Sequence, residues 1–288
     1  MWNWKPSSTS TIASVERLSG KFHPVHVTYP SSLSEALAAM AGGATPLAGG
    51  TDLMVETNFG HANPEDVVVL RRLDELTEWN GARLGAGVTW RRIELDGPKA
   101  LSQAARTVGS PQIRNAATLG GNVGTASPAG DGLPFLAAVD AKIDLASVDG
   151  ERSLSWDQFF TGVKETARRP DELITGIRLP EDLPERQEFA KIGVRSAMVI
   201  ATVCCVVTRR ESGETRVALG SVAPTTMRAR RAEEMISSLS NPGERDLAEF
   251  ARLVSEEVSP ITDHRSTEEY RRHAAGVLAR RLLERCVR

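Results

Sequence analysis

The sequence predicts an α+β protein made of two domains, and three observations support this fold class. At 288 residues the chain is long for one domain and sufficient for two. The segment LPEDLPERQ at 179–187 places two prolines among charged residues, which makes it the best linker candidate. Beyond this segment, three strand-like runs are followed by three helical runs, an order typical of an α+β domain.

The domain limits follow from these observations and from the polar start of the chain. Residues 1–21 are predicted to be an N-terminal extension, residues 22–183 the first domain and residues 184–288 the second. The net charge of −2 predicts no general attraction to nucleic acid or to a membrane surface. No apolar run approaches the roughly 20 residues that cross a bilayer, and the N-terminus has no apolar core of the signal-peptide type, so no membrane span is predicted. Because three cysteines cannot form a disulfide framework, we expect a reduced, cytoplasmic protein.

The first half alternates short strand-like and helical runs. SSLSEALAAMAGG is predicted to be a helix, in which Ser32 and Glu35 have the spacing of a capping box. TPLA, EDVVVL, ARLGAGVTW, KIDLASV and ELITGIRLP are strand-like, and a helix is predicted near 98–108. Asp131 is placed to cap a helix over GLPFLAAVDA.

The second half is predicted to contain a three-stranded antiparallel sheet packed with helices. The strands are FAKIGV, MVIATVCCVVTR and TRVALGSVA, and the helices cover about 228–239, 245–258 and 267–286. Cys204 and Cys205 are adjacent in a strand, so their side chains should point to opposite faces of the sheet.

Two glycine-rich segments carry the main functional signal. PLAGGTDL at 46–53 and TLGGNVGTASPAGD at 118–131 each contain a glycine pair followed by hydroxyl and amide side chains. Successive glycines allow several backbone N–H groups to converge on one point, which is the geometry of an anion-binding nest. The two segments together therefore predict a diphosphate site, whereas either one alone is more typical of a tight turn.

Other chemistry is not supported by the sequence. LGAGVTW lacks the third glycine of a dinucleotide-binding fingerprint, and no lysine follows either glycine pair as in a P-loop. The three cysteines have neither zinc nor iron–sulfur spacing, so no metal site is predicted. No arrangement of a nucleophile with a base is evident, and no catalytic residue is assigned.

Four motifs in order resemble the FAD-binding medium subunit of the xanthine dehydrogenase and carbon monoxide dehydrogenase family of molybdenum hydroxylases. They are PLAGGTDL, VGSPQIRNAATLGGNVGTASPAGDGLP, DELITGIRLP and ITDHRSTEEYRRH, and the resemblance extends from about His23 to the C-terminus. It implies a two-part FAD-binding domain of the PCMH type, shared with vanillyl-alcohol oxidase and MurB, followed by a small C-terminal domain.

The resemblance also implies which residues bind FAD. The first segment would wrap the diphosphate, the second would add side-chain contacts, and Asp131 would lie on the ribose or adenine side. Leu173 and Ile174 would line the flavin or the adenine, and Lys191 would reach the flavin, unless it is an ordinary surface lysine. The complete set is Pro46, Leu47, Ala48, Gly49, Gly50, Thr51, Asp52, Leu53, Thr118, Gly120, Gly121, Asn122, Thr125, Ser127, Asp131, Leu173, Ile174 and Lys191.

By the same resemblance, the protein is an electron-transfer subunit with two partners. A large molybdopterin-binding subunit would oxidise the substrate, and a small subunit would pass electrons through 2Fe–2S clusters to this FAD. NAD or another acceptor would then receive them, within a dimer of heterotrimers. The motifs are closer to the xanthine dehydrogenase branch. Two alternatives stay open: a free-standing FAD-dependent oxidoreductase with its own substrate, and a protein that binds nucleotides without redox chemistry.

Overall fold

The structure is a computed structural model and describes residues 25–288. The extension predicted at residues 1–21 lies outside the described residues. The first described part is a parallel sheet with the strand order β1-β3-β2. Its elements, in chain order, are β1 (His26–Thr28), α1 (Leu33–Ala41), β2 (Thr45–Leu47), α2 (Leu53–Asn58) and β3 (Asp66–Val69).

Helix α1 begins as the sequence predicts, with one difference at its cap. The Ser32 hydroxyl accepts a hydrogen bond from the N–H of Glu35, as in a capping box. The Glu35 carboxylate accepts from the N–H of Ser31 instead of that of Ser32. Half of the predicted capping box is therefore formed.

The second part is an antiparallel five-stranded sheet with the order β4-β5-β10-β6-β7, accompanied by helices and a two-stranded hairpin of β8 and β9. Its elements are α3 (Asp74–Thr77), β4 (Trp79–Asn80), β5 (Arg83–Gly85), α4 (Trp90–Asp96), α5 (Lys99–Ala105), α6 (Pro111–Ala116), α7 (Leu119–Thr125), α8 (Leu133–Ala138), β6 (Lys142–Ser147), β7 (Gly150–Ser155), α9 (Trp156–Phe159), β8 (Phe160–Gly162), β9 (Glu165–Thr166) and β10 (Leu173–Arg178).

Strand β5 is shorter than the predicted run at 82–90. A Cβ built on Gly85 would lie 2.2 Å from the carbonyl oxygen of Leu76, so the two backbones are in direct contact. The N–H of Gly87 then donates to the same Leu76 carbonyl, at 2.7 Å. The chain thus leaves the sheet at the glycines, which only their missing side chains permit.

The third part is an antiparallel sheet with three helices on one face. The sheet has the order β11-β12-β13-β14, so the three expected strands are extended by a two-residue fourth strand. Its elements are β11 (Arg186–Ile192), β12 (Val203–Arg209), β13 (Thr215–Gly220), β14 (Met227–Arg228), α10 (Arg230–Ser237), α11 (Glu244–Glu257) and α12 (Glu268–Val287). The three predicted helices are all present, with ends shifted by a few residues.

Strand β12 separates two hydrophobic cores. Cys204 and Val206 pack into the core of the second part, next to helix α8. Cys205 and Val207 pack into the core formed with helices α10, α11 and α12. The prediction that Cys204 and Cys205 point to opposite faces is confirmed, and the C-terminal sheet is covered on both sides. Among the helices of residues 25–288, none combines the length and the apolar character needed to cross a membrane.

Candidate functional site

The first glycine-rich segment follows strand β2 and turns against the end of helix α6. A Cβ built on Gly49 would lie 1.9 Å from the carbonyl oxygen of Ala116, so only glycine fits at this position. Gly50 has a φ of +71°, in the left-handed region that favours glycine. The sequence Gly49-Gly50 therefore serves two separate requirements: close backbone contact and an unusual turn.

This turn presents a run of backbone N–H groups. The hydrogen bonds among residues 25–288 include none donated by the N–H groups of Gly49, Gly50, Thr51 or Asp52. The chain enters helix α2 directly afterwards, at Leu53. Successive N–H groups without a partner in the protein form a concave site for an anion. The prediction of an anion-binding geometry therefore has structural support in the first segment.

The second glycine-rich segment differs from its prediction, because residues Leu119–Thr125 form helix α7 instead of an open loop. Thr118 is the N-cap, and its hydroxyl accepts from the N–H of Gly121 at 3.0 Å. The N–H groups of Leu119, Gly120 and Asn122 donate to the carbonyls of Val88, Ala86 and Thr118. The expectation of a second run of free N–H groups is therefore wrong: the threonine cap and the neighbouring backbone use them all.

The glycines of α7 instead give it an open face. Gly121 and Gly124 are both exposed. A Cβ built on Gly121 would meet only its own N-cap, 3.1 Å from Thr118 Oγ1, and one on Gly124 would meet only Ile174 Cδ1, at 3.4 Å. Gly120, in contrast, packs against Ala86 so closely that a Cβ would lie 2.5 Å from the Ala86 Cβ. Two of the three glycines thus leave room for a molecule that approaches the helix backbone.

The two glycine-rich segments lie side by side. Thr125 Oγ1 donates to Asp52 Oδ2 at 2.9 Å, and it also lies 3.0 Å from the carbonyl oxygen of Gly121. Together with the contact between Gly49 and Ala116, this hydrogen bond holds the free N–H groups next to the open face of α7. Residues about 70 positions apart in sequence therefore form one surface, as the sequence predicts.

Two buried oxygen atoms beside this surface have no partner among residues 25–288. They are Asn122 Oδ1 and Asp131 Oδ1. A Cβ built on Gly132, the residue after Asp131, would lie 3.3 Å from Asn122 Oδ1, so the two positions are close. Because a buried polar atom without a hydrogen bond costs about 1–3 kcal/mol, these two acceptors indicate a bound group that donates to them.

Asp131 does not cap helix α8, contrary to the prediction. The N-cap is Gly132, and no side chain bonds to the first turn. The Asp131 carboxylate instead lies 2.5 Å from Lys191 Nζ, and the two side chains are only 7% and 8% exposed. The Asp131 carboxylate therefore pairs with the ammonium group of Lys191, 60 residues away in sequence, and not with the N-terminus of helix α8.

Thr107 joins both members of this pair. Its hydroxyl donates to Asp131 Oδ2 at 3.0 Å, and its carbonyl oxygen accepts from Lys191 Nζ at 3.0 Å. Burial raises the pKa of the Asp131 carboxyl above its usual value, against the opposing effects of the Lys191 ammonium and the Thr107 hydroxyl. The alternative that Lys191 is an ordinary surface lysine is wrong. Thr107 carries no signal in the sequence that would have identified it.

Of three further predicted residues, Ile174 and Ser127 lie next to helix α7, whereas Leu173 does not. Ile174 reaches Gly124 of helix α7. Leu173, its neighbour in strand β10, points the other way and packs into the core of the first part, with residues such as Leu70. The Ser127 hydroxyl accepts from the N–H of Ala129 in the turn after α7.

A cavity of about 670 Å³ opens beside the Asp131–Lys191 pair. Its wall includes Thr107 and Lys191, and at its open end the arginines Arg106 and Arg195. A volume of this size is typical of sites for small molecules. The sequence analysis missed both arginines, although Arg195 lies only four residues after Lys191.

Two protein families together match almost the whole chain. Residues 21–182 match the family described as FAD binding domain in molybdopterin dehydrogenase. Residues 188–286 match the family described as CO dehydrogenase flavoprotein C-terminal domain.

Individual proteins agree with these matches. The xanthine dehydrogenase FAD-binding subunit of Escherichia coli O157:H7 is 28% identical over 275 residues, covering 89% of this chain and 94% of that protein. The glyceraldehyde dehydrogenase medium chain of Sulfolobus acidocaldarius is 31% identical over 263 residues, covering 86% of this chain and 92% of that protein. Since such different enzymes are about equally similar, the expected closeness to the xanthine dehydrogenase branch stays a prediction.

Solved structures show the same fold. The structure of carbon monoxide dehydrogenase from Hydrogenophaga pseudoflava contains a chain that matches with a TM-score of 0.84 and 27% identity, covering 91% of this chain and 97% of that one. A chain of quinoline 2-oxidoreductase from Pseudomonas putida 86 matches with a TM-score of 0.85 and 26% identity, covering 93% and 98%. The similarity therefore includes all three described parts.

Proposed function

This chain belongs to the family of FAD-binding subunits of molybdenum hydroxylases of the xanthine dehydrogenase and carbon monoxide dehydrogenase type, and from that premise we propose its role. We propose that it receives electrons from the iron–sulfur clusters of a small partner subunit, after a large molybdopterin-binding partner has oxidised the substrate. The electrons then leave to NAD or another acceptor. FAD supplies the redox chemistry when bound, because a flavin exchanges electrons singly or in pairs.

The observation that carries this proposal is the match between the donors and acceptors of the site and those of FAD. The free N–H groups of Gly49, Gly50, Thr51 and Asp52 suit an anionic diphosphate. The unpartnered oxygens of Asn122 and Asp131 suit the N–H and O–H donors of the ring or the sugar. The site thus offers N–H donors for the diphosphate of FAD and oxygen acceptors for its N–H and O–H groups.

Each group of residues has a distinct role in this proposal. Residues 46–53 bind the diphosphate through their backbone, and the open face of helix α7 lets the cofactor approach closely. Asn122 and Asp131 orient it by accepting hydrogen bonds, and Lys191 places a positive charge behind the Asp131 carboxylate. Ile174 forms an apolar wall next to Gly124. Thr118, Thr125 and Ser127, whose hydroxyls already bond within the protein, shape the surface.

The charged groups of the site favour electron transfer over substrate chemistry. Within the described residues, Asp131 is tied to Lys191 and Thr107, and Asp52 accepts a hydrogen bond from Thr125. Neither carboxylate is left as an uncommitted base near the cavity. A free-standing oxidoreductase would need such a base, or another group that activates its substrate. Turnover of alcohols, aldehydes or heterocycles by the purified chain alone would favour that alternative.

The same proposal includes the setting of the subunit. We propose a cytoplasmic complex with one large and one small partner, assembled as a dimer of heterotrimers. We also propose a division of the chain into the extension at 1–21, an FAD-binding domain at 22–183 and a C-terminal domain at 184–288. Copurification of tagged chain with its partners, followed by the mass of the complex, tests the stoichiometry.

An absorption spectrum of the chain expressed alone tests the central proposal. Bands near about 370 and 450 nm, with FAD as the only flavin released on heating, are expected for a bound flavin. A colourless protein that also fails to bind added FAD, alone and together with its partners, would overturn the proposal.

A glycine substitution then tests the location of the site. Gly121→Val adds a side chain on the exposed face of α7, where its Cβ would meet only Thr118 Oγ1, at 3.1 Å. We expect normal folding and loss of most bound FAD. Gly243→Val is a matched control, because a Cβ there would meet only Asp246 Oδ2, at 3.7 Å, in front of the distant helix α11. Equal FAD content in both variants would remove α7 from the site.

A further inference from the structure

The C-terminal motif ITDHRSTEEYRRH, at 261–273, has no part in the site described above. It forms the turn before helix α12 and the first turns of that helix. Arg271 is only 3% exposed, whereas its neighbour Tyr270 is 49% exposed. The motif therefore delivers one guanidinium group to the interior of the C-terminal part.

Asp263, in the same motif, holds this guanidinium from one side. Arg271 Nη2 donates to Asp263 Oδ1 at 2.6 Å. Burial raises the pKa of the Asp263 carboxyl, but hydrogen bonds from the N–H of Arg265 and from Arg271 lower it to about 2. The carboxylate is therefore charged at neutral pH and orients the guanidinium.

The Nη1 atom of the same arginine bonds to the ends of two neighbouring strands. It donates to the carbonyl oxygen of Thr202 at 2.8 Å and to that of Ser221 at 2.9 Å. Thr202 directly precedes strand β12 and Ser221 directly follows strand β13, and these strands pair antiparallel. The Ser221 hydroxyl also donates to the carbonyl oxygen of Ala201, at 3.0 Å. Arg271 therefore binds both strand ends at one corner of the C-terminal sheet.

At this corner, Ser221 contacts the turn that carries Asp131. The N–H of Ser221 donates to the carbonyl oxygen of Pro128 at 2.8 Å, and Pro128 lies three residues before Asp131. Ser221 has a φ of +64°, in a region that few residues other than glycine adopt. Its two peptide groups therefore need partners that hold them, and Arg271 and Pro128 are those partners.

Thr202, at the same corner, contacts the strand that carries Lys191. The N–H of Thr202 donates to the carbonyl oxygen of Ile192 at 2.7 Å, and Ile192 follows Lys191 in strand β11. The guanidinium is thus one backbone hydrogen bond away from the segment of Lys191, as it is from the segment of Asp131. Because one nitrogen atom binds both strand ends, the separation of these two segments depends on Arg271.

Two features of this corner reduce stability. Arg271 Nε is buried and has no partner among residues 25–288, and Ser221 adopts a positive φ without being glycine. An unpartnered buried donor and a strained backbone both cost free energy, and such features concentrate at functional sites. They favour a role for Arg271 beyond the stability of the C-terminal part.

We propose that Arg271 is a positioning residue, which sets the separation of Asp131 and Lys191 without touching the cofactor. It acts through the backbone of Ser221 and Thr202, and none of these three residues belongs to the wall of the cavity beside the pair. The inference rests on the proposed function and extends it to the C-terminal motif. FAD binding then depends on the correct packing of the C-terminal part.

Hydrogen exchange of the full chain, prepared without FAD, tests the contacts themselves. Arg271→Met keeps the apolar stem of the side chain and removes the guanidinium. We expect the N–H groups of Ser221 and Thr202 to exchange about tenfold faster, relative to the slowest amides of the protein, which corresponds to the loss of one hydrogen bond. Mass spectrometry at single-residue resolution measures these rates.

Arg209→Met is the matched control. Arg209 is also 3% exposed, and its guanidinium also donates to carbonyl oxygens, those of Gly213 at 2.8 Å and Leu239 at 2.6 Å. It lies at the other end of strand β12. This variant should lower the free energy of unfolding, but it should keep the relative exchange rates at Ser221 and Thr202 within about twofold, because distant sites act independently.

The flavin supplies the readouts that a purely structural arginine would not change. Arg271→Met should weaken FAD binding about tenfold, the lower limit of what is lost when a residue behind the ligands of a metal site is removed, because the free oxygen of Asp131 moves. It should also lower the midpoint potential of bound FAD, in the same direction as Lys191→Met. Lys191→Met/Arg271→Met should have the potential of Lys191→Met alone, because no ammonium group is left to position. Arg209→Met should leave both the affinity and the potential unchanged.

The outcomes separate this inference from the proposed function. Unchanged exchange at Ser221 and Thr202, additive shifts of the potential, or equal losses of FAD in the two arginine variants would each overturn it. If Arg271→Met does not fold, Asp263→Asn decides, since it keeps the volume and removes the charge that orients the guanidinium: smaller changes in the same directions are expected, and no change would overturn the inference. Failure of the unmodified chain and its complex to bind FAD would instead overturn the proposed function, whereas the exchange measurement needs no cofactor.

Discussion

Asp131 Oδ2 and Lys191 Nζ lie 2.5 Å apart and connect the second part of the chain to the C-terminal sheet. Asp131 directly precedes helix α8, whereas Lys191 lies in strand β11. The proposed site is therefore built from both parts, and its buried charge is balanced only when they are packed together. Buried ion pairs of this kind are costly to break from one side, because the remaining charge stays buried.

Removal of the lysine should make stability depend on pH in a defined direction. In Lys191→Met the buried Asp131 loses its ammonium partner, and the pKa of its carboxyl, already raised by burial, rises further. A folded-state pKa above the unfolded value of about 3.9 means that the folded protein binds the extra proton. The free energy of unfolding should therefore fall as pH rises between the two pKa values, by up to about 1.4 kcal/mol per pH unit. The loss relative to the unmodified protein should approach about 3–5 kcal/mol at high pH.

Thermal unfolding between pH 5 and 9 measures this effect. The double variant Lys191→Met/Asp131→Asn is the control, because it has no buried carboxylate and should show no such slope. A single variant with the same pH profile as the unmodified protein would contradict the buried pair.

The same lysine should affect the cofactor. Lys191→Met is expected to retain FAD but to lower its midpoint potential, because a nearby positive charge favours the reduced, more negative flavin. A change on the order of 30 mV corresponds to about 1.4 kcal/mol for a two-electron couple. Spectroscopic titration with a reference dye measures the potential. Lys142→Met, at an exposed position in β6, should leave it unchanged.

Thr107 should stabilise the protein through the Asp131–Lys191 pair, because it contacts both members. Thr107→Val removes the hydroxyl that donates to Asp131 while keeping the volume and the backbone carbonyl that accepts from Lys191. We expect a loss of about 1–2 kcal/mol in the free energy of unfolding, measured by urea denaturation. Thr107→Ser should recover most of it, together with the flavin spectrum. A valine variant as stable as the unmodified protein would show that the hydroxyl does not stabilise the pair.

The glycines of the first segment should respond differently from those of α7. Gly49→Ala places a Cβ 1.9 Å from the Ala116 carbonyl oxygen, within the backbone contact that joins the two segments. We expect a loss of several kcal/mol, on the scale of about 3 for severe strain, and a lower melting temperature with or without FAD. Gly121→Ala should change the affinity for FAD without lowering the melting temperature of the protein without cofactor, because alanine is favoured over glycine inside a helix. Similar melting temperatures for both variants would contradict this assignment.

The sequence predicts the order of elements well because the relevant signals are local. The helix beginning after Ser32, the strand of TPLA and the alternation of Cys204 and Cys205 all follow from neighbouring residues. The family and its cofactor also follow from short motifs that keep their order.

The sequence does not predict whether a residue contacts a neighbour in the chain or a residue that is distant in sequence. Three glycines in LGGNVGT argue against a helix, yet the Thr118 cap and the contact of Gly120 with Ala86 stabilise one. Asp131 is well placed for capping, yet it pairs with Lys191 across 60 residues. The pairing of Asp131 and the contact of Gly120 with Ala86 are tertiary contacts, which hydrophobic periodicity and capping patterns do not contain. The Thr118 cap is local, but it is not recognisable in front of three glycines.

The position of strand β12 has a consequence for how the chain could be divided or recombined. Cys204 and Val206 face one core and Cys205 and Val207 the other, so the strand is a wall common to both. Cleavage at the exposed residues Glu181 and Asp182 would cut the polypeptide outside both cores but would expose a full apolar face on each fragment. A chimaera that joins the N-terminal half to the C-terminal half of a relative would have to match the side chains on that wall. The sequence can be divided between the two halves, but the two halves pack together as one unit.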